Sequence, residues 1–148
     1  CRQAGAGRTG GGMTPIVRFA GYAAIFDQPD RGGDIVRKGA FADACAGLPL
    51  LWRHDVMHRI GTVEQLREDD MGLRIIAAVR GVDVAVGQGL SFGYRVRAAR
   101  NGTFRELEHL DLIEVSLVAQ PMQPLARVIA VEAGKTPSTQ GETAWTMK

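Results

Sequence analysis

The chain has 148 residues, 45% of them hydrophobic, which suits one domain with a normal core. Its 18 Lys and Arg against 16 Asp and Glu leave a net charge of +2, but residues 13–131 hold 14 of each and are neutral. That balance, without a basic stripe, argues against nucleic acid as the main partner, and no apolar run approaches the ~18 residues of a membrane span.

Residues 1–12 are Gly-rich with Arg2 and Arg8 and lack the apolar stretch of a secretion signal. They read as a disordered tail, and Met13 offers a later translation start. The two cysteines, Cys1 and Cys45, make no disulfide framework, so a reducing cytoplasm is the expected setting. Residues 16–26 are rich in Ile, Val, Phe and Tyr and predict a strand, with Gly21 marking a bulge. Residues 27–34 form a loop by composition, and 34–37 resume extended structure. Gly39 to Ala46 predicts a short helix, with Phe41 and Cys45 on one side and Gly47 as its stop.

Residues 50–54 predict a short strand running into a polar turn. Residues 60–66 and 72–79 predict two more, joined by the four-residue connection 68–71. Residues 81–89 read as a loop and 91–99 as a strand. Asn101-Gly102 is a hairpin turn pair. Residues 104–119 then form one long or broken strand. Pro121 and Pro124 end the sheet, 125–131 add a last strand, and 132–148 read as a second tail. The sum is one mainly β domain over 13–131 with a few short helices, a small closed or curled barrel.

Gly89-Leu90-Ser91-Phe92-Gly93-Tyr94-Arg95 is the most telling stretch. On a strand Leu90, Phe92 and Tyr94 face the core and hold Ser91 on the opposite face. Gly93 beside it lets another group approach closely. This suits a displayed nucleophile, and equally an ordinary half-buried strand. His54 ends an apolar strand, so it is either a general base for Ser91 or a polar strand end. His54 and His58 at i, i+4 would approach a metal site only on a helix, and no zincin glutamate accompanies them. Glu114 interrupts Leu112-Ile113-Glu114-Val115-Ser116-Leu117-Val118. Buried alone it would cost several kcal/mol, so it needs a partner such as an imidazole, or it faces solvent. His109 and Asp111 compete for the same role, and Cys45 reads as a packing residue. The glycine clusters lack the strand–helix setting and lysine of a phosphate loop, so no nucleotide, cofactor or metal is expected.

Five blocks occur in a telling order: Gly21-Tyr22-Ala23-Ala24-Ile25-Phe26-Asp27, Gly39-Ala40-Phe41, Leu51-Trp52-Arg53-His54-Asp55, Leu90-Ser91-Phe92-Gly93-Tyr94, and Leu112 to Val118 with Pro121. From about Phe19 to Ala130 the chain resembles the prohead proteases of HK97-type tailed phages. Its compact form is similar to the version encoded in bacterial gene transfer agents. The resemblance implies a serine endopeptidase with a fold like that of herpesvirus assembly proteases. It places Ser91 as nucleophile, His54 as base and Glu114 as third member, with Ser91 and His54 within or near hydrogen-bond reach. It implies a substrate, the major capsid protein with its scaffolding segment, self-cleavage, a homodimer, and action inside the precursor capsid in the bacterial cytoplasm. Relatives carry a helical segment where this chain has only residues 80–89, which bears on dimerisation and activity. A catalytically inactive assembly module with the same fold is the alternative, and a β-barrel binding domain unrelated to phage a third.

Overall fold

The computed structural model describes residues 15–132. The tails expected at 1–12 and 132–148 lie outside them, except for Glu132. Glu132, placed with the second tail, instead donates its backbone N–H to Arg18 O at 2.8 Å. Eight strands follow in chain order: β1 (Ile16–Ile25), β2 (Asp34–Val36), β3 (Pro49–Trp52), β4 (Asp55–Glu68), β5 (Gly72–Arg80), β6 (Gly89–Arg100), β7 (Arg105–Val118) and β8 (Val128–Val131). They form one sheet in the order β2-β7-β3-β4-β5-β1-β8, with β6 on β7.

The apolar residues of the central strands account for the core. Phe19, Leu50, Val63, Leu73, Ile75, Leu90, Leu107, Leu110 and Leu117 are fully buried, and each such side chain contributes about 1.5–3 kcal/mol. At Gly21 an added Cβ would sit 2.8 Å from Leu90 Cδ1 and 2.7 Å from Arg127 O. The glycine therefore lets β1 approach β6 and the 121–128 segment, and register shifts flank it at Ala20/Gly21 and Tyr22/Ala24.

The strand ladders do not close into a ring. The path ends at β2 and β8, and isolated bridges, Phe26↔Val36 and Gly89↔Arg127, span the remaining seams. The fold is mainly β, as expected, but the described residues contain no helix. The helix expected over 39–46 is a run of turns: Ala40, Ala42 and Ala44 each donate to the carbonyl three residues back. Gly39 opens the run at φ +97°, outside the helical region. The Glu68 carboxylate then takes the N–H groups of Gly39 and Phe41 at 2.7 and 2.8 Å. Fixing both amides on one carboxylate from β4 competes with a helical continuation. Cys45 in these turns is half-buried, not a packed core thiol.

Two strands begin or run on where the sequence offers no apolar alternation. β4 starts at Asp55 although Asp55–Arg59 are all exposed, and β6 continues through exposed Arg95–Arg100 against β7. Backbone pairing with β7 holds the β6 arm, and in the β4 arm Asp55 and Arg59 pair with Trp52 and Leu51.

The segment after β7 is fixed by one buried side chain. Gln123, 4% exposed, accepts from Ile25 N–H at 2.8 Å and donates to Ile25 O at 2.9 Å, as a neighbouring strand would. Gln123→Leu leaves both backbone groups of Ile25 buried without partners. It is expected to cost about 3 kcal/mol in denaturant unfolding; a change below about 0.5 kcal/mol would contradict this assignment.

Candidate active site

The site is built where β6, β7 and the β3–β4 turn meet. Ser91 lies directly opposite Ser116 in the antiparallel β6–β7 pair, and Gly93 opposite Glu114. Opposed residues share a face, so Ser91, Gly93, Glu114 and Ser116 line one side of the sheet. The other side of β6 carries buried Leu90, with Phe92 and Tyr94 packed against the core. Phe92 makes an edge contact with Phe41 and a tilted one with Tyr94, centroids 5.3 and 4.9 Å apart. That packing fixes the strand on which Ser91 stands.

His54 reaches this face from a tight turn. Trp52 pairs with Asp55, leaving Arg53 and His54 as the two central residues, at φ +54° and +63°. Two successive positive φ values define a type I′ hairpin turn, which ordinarily uses Asn and Gly. Holding two non-glycine residues there costs of order 1 kcal/mol or more each, so tertiary contacts must compensate. They do: Arg53 N–H donates to Leu117 O at 3.0 Å, and His54 N–H donates to Ser116 Oγ at 3.0 Å.

The imidazole is held as firmly as the backbone. His54 Nδ1 lies 2.6 Å from Glu114 Oε2, and Ser116 Oγ donates to Glu114 Oε1 at 2.8 Å. Glu114 is 8% exposed. The two contacts thus supply the partners that a buried carboxylate requires. With the carboxylate accepting at Nδ1, the basic lone pair is on Nε2, which has no hydrogen bond of its own among the described residues. The Glu114 hydrogen bond raises the His54 pKa above its ordinary value, and its charge adds to the effect against an opposing contribution from burial.

Gly93 makes room for this pair. A Cβ there would lie 2.9 Å from Glu114 Cδ and 3.1 Å from its Cγ, and closer still to Oε2. The group that comes close at Gly93 is thus the carboxylate.

The structure therefore brings His54 and Glu114 into contact and sets Ser91 on the same face, one cross-strand step from Ser116. No hydrogen bond joins Ser91 Oγ and His54, and Ser91 is 6% exposed. Catalytic hydrogen bonds of this kind are often long until substrate is bound. The competitors lie elsewhere. His109 Nε2 pairs with Asp43 at 2.7 Å, and Asp111 pairs with Arg97 at 3.0 Å. His58 is on a strand, its ring 6.4 Å from that of Trp52. Among the described residues no group of three His, Cys, Asp or Glu could hold a metal.

Sequence reasoning missed Ser116, which ties the turn backbone to the carboxylate. Its signal was the period-2 spacing from Glu114, which puts both on one face.

A family model described as caudovirus prohead serine protease matches residues 8–140. Among solved structures, the KSHV protease in complex with a hexapeptide phosphonate inhibitor has a similar fold, with a TM-score of 0.56 at 12% identity. The match covers 80% of this chain and 65% of that one, so the chain spans just under two thirds of that protease. No curated protein matches.

Proposed function

Because the chain belongs to the caudovirus prohead serine protease family, we propose that it is a serine endopeptidase that cleaves the major capsid protein and its scaffolding segment during prohead maturation. Its place of action is the interior of the precursor capsid, and it cleaves itself there as well. No helix among the described residues is long and apolar enough to cross a membrane. The short connection between β5 and β6, where relatives carry a helical segment, supports the compact version found in gene transfer agents. The two seam bridges support a barrel-like closure of the sheet, and a homodimer remains part of this reading.

The observation that carries the proposal is the 2.6 Å contact between His54 Nδ1 and the buried Glu114 carboxylate, on the face that displays Ser91. In the mechanism, Ser91 Oγ attacks the scissile carbonyl carbon as His54 Nε2 takes its proton. The tetrahedral intermediate collapses and the leaving amine receives that proton. Water, activated by the same nitrogen, then hydrolyses the acyl-enzyme. Glu114 holds the imidazole in the required tautomer and stabilises the imidazolium. Ser116 is a positioning residue, which holds the carboxylate and the turn backbone together. A fluorophosphonate tests the nucleophile: the full chain should be labelled at Ser91 and Ser91→Ala should not. An unlabelled chain would favour the inactive assembly module.

The pH dependence follows from the Glu114 contact. Neutral His54 is the working base, so activity should fall as pH drops through the raised His54 pKa. The stabilisation from protonated His54 beside Glu114 is fully present below about pH 6.5 and lost as pH rises through the raised value. In Glu114→Gln an NMR titration of the His54 ring should show a lower midpoint. An unchanged midpoint would mean that the carboxylate does not set the imidazole's charge.

A further inference from the structure

A cavity of about 220 Å³ opens beside this site, walled by Trp52, Arg53, Gly87, Gly89, Val118 and Arg127. Its lining is close in sequence to both reacting groups. Arg53 precedes His54, and Gly89 lies two residues before Ser91 on the same strand face, about 7 Å away. Val118 shares the Ser116 face of β7 by alternation.

The walls are rigid. Gly87 N–H donates to Val128 O, Val128 N–H to Gln88 O, and Leu90 N–H to Ala126 O, all at 2.9 Å. The Arg127 guanidinium braces them, donating from Nε to Pro124 O at 2.7 Å and from Nη1 to Gly87 O at 2.8 Å.

The charge of the cavity is unbalanced. Both acceptors of Arg127 are neutral carbonyls, and among the described residues neither its Nη2 nor any atom of Arg53 meets a carboxylate. Arg53 instead lies over the Trp52 ring, its Cζ 5.5 Å from the centroid. No lining residue is acidic. Two guanidinium groups lining one cavity, with donors to spare, are complementary to a carboxylate, which accepts paired N–H bonds from arginine.

We infer that this cavity is a substrate subsite that accepts an acidic side chain, Asp or Glu, flanking the scissile bond, with Arg127 and Arg53 as the specificity-determining residues. The inference rests on the protease reading and names what that site selects.

The test is cleavage of a pooled library of acetylated octapeptides by the full chain, read by mass spectrometry. The peptides come in matched pairs that differ only by Asp or Asn, or Glu or Gln, at one position. At one position near the scissile bond the acid should be preferred over its amide by about ten-fold or more. Arg127→Gln should bring that ratio close to one. Arg53→Gln, at an exposed side chain, should reduce it without risk to the loop, and fluorophosphonate labelling of each variant reports that the nucleophile is intact. Cleavage without an acidic preference, or a preference unchanged in both variants, would overturn the subsite and leave the protease standing. No cleavage and no labelling of the full chain would overturn both.

Discussion

Glu114→Gln is expected to fold normally and to slow capsid-protein cleavage by up to about 10⁴-fold. The amide keeps the volume of the carboxylate and can still bond Ser116, so the fold loses little. Its oxygen can accept from His54 Nδ1, but it carries no charge to stabilise the imidazolium. Its NH₂ can also turn toward the ring and select the wrong tautomer. Asp111→Asn and His109→Ala should do far less, because their partners are Arg97 and Asp43. Cleavage at the normal rate in Glu114→Gln, with loss in either of the other two, would remove Glu114 from the third position.

Gly93→Ala is expected to slow cleavage by at least about 10²-fold, the cost of displacing a catalytic group by about an ångström. The added methyl group would occupy space that the Glu114 carboxylate fills. The carboxylate must shift, and His54 and Ser116 lose their anchor together. Overpacking should also cost about 1–3 kcal/mol of stability. The two effects are separable. In a Glu114→Ala background the carboxylate is gone, so Gly93→Ala should cause little further loss of rate. Such non-additivity is the mark of a direct contact. Full additivity of the two substitutions would show that Gly93 acts elsewhere.

Much of the strand pattern could be read directly from the residues. Leu90, Phe92 and Tyr94 alternate with Ser91 and Gly93, and a period of two is unambiguous when the apolar members are this large. Asn101-Gly102 marked the β6–β7 connection, and Pro121 the end of the sheet. Glu114 stood out because an unpaired carboxylate among Val115, Leu117 and Val118 would be costly.

Other features left no local signal. The turn at Arg53-His54 contains neither Asn nor Gly, because contacts from Leu117 and Ser116, over 60 residues away, hold its positive φ values. The turns at 39–46 have helix-forming alanines, and only the distant Glu68 carboxylate reveals why they do not make a helix. The first residues of β4, Asp55 to Arg59, are all exposed, so no buried alternation marks them. Ser116 looked like a small residue in an apolar strand until His54 was folded against it. In each case a tertiary contact overrode a local preference.

Co-expression of the chain with the major capsid protein of the same gene cluster, followed by mass measurement of the capsid subunit, tests the central claim most directly. The subunit should be shortened by its scaffolding segment with the native chain and remain full length with Ser91→Ala. A full-length subunit with the native chain, or a shortened one with Ser91→Ala, would contradict the assignment of Ser91 as the nucleophile of a capsid-maturation protease.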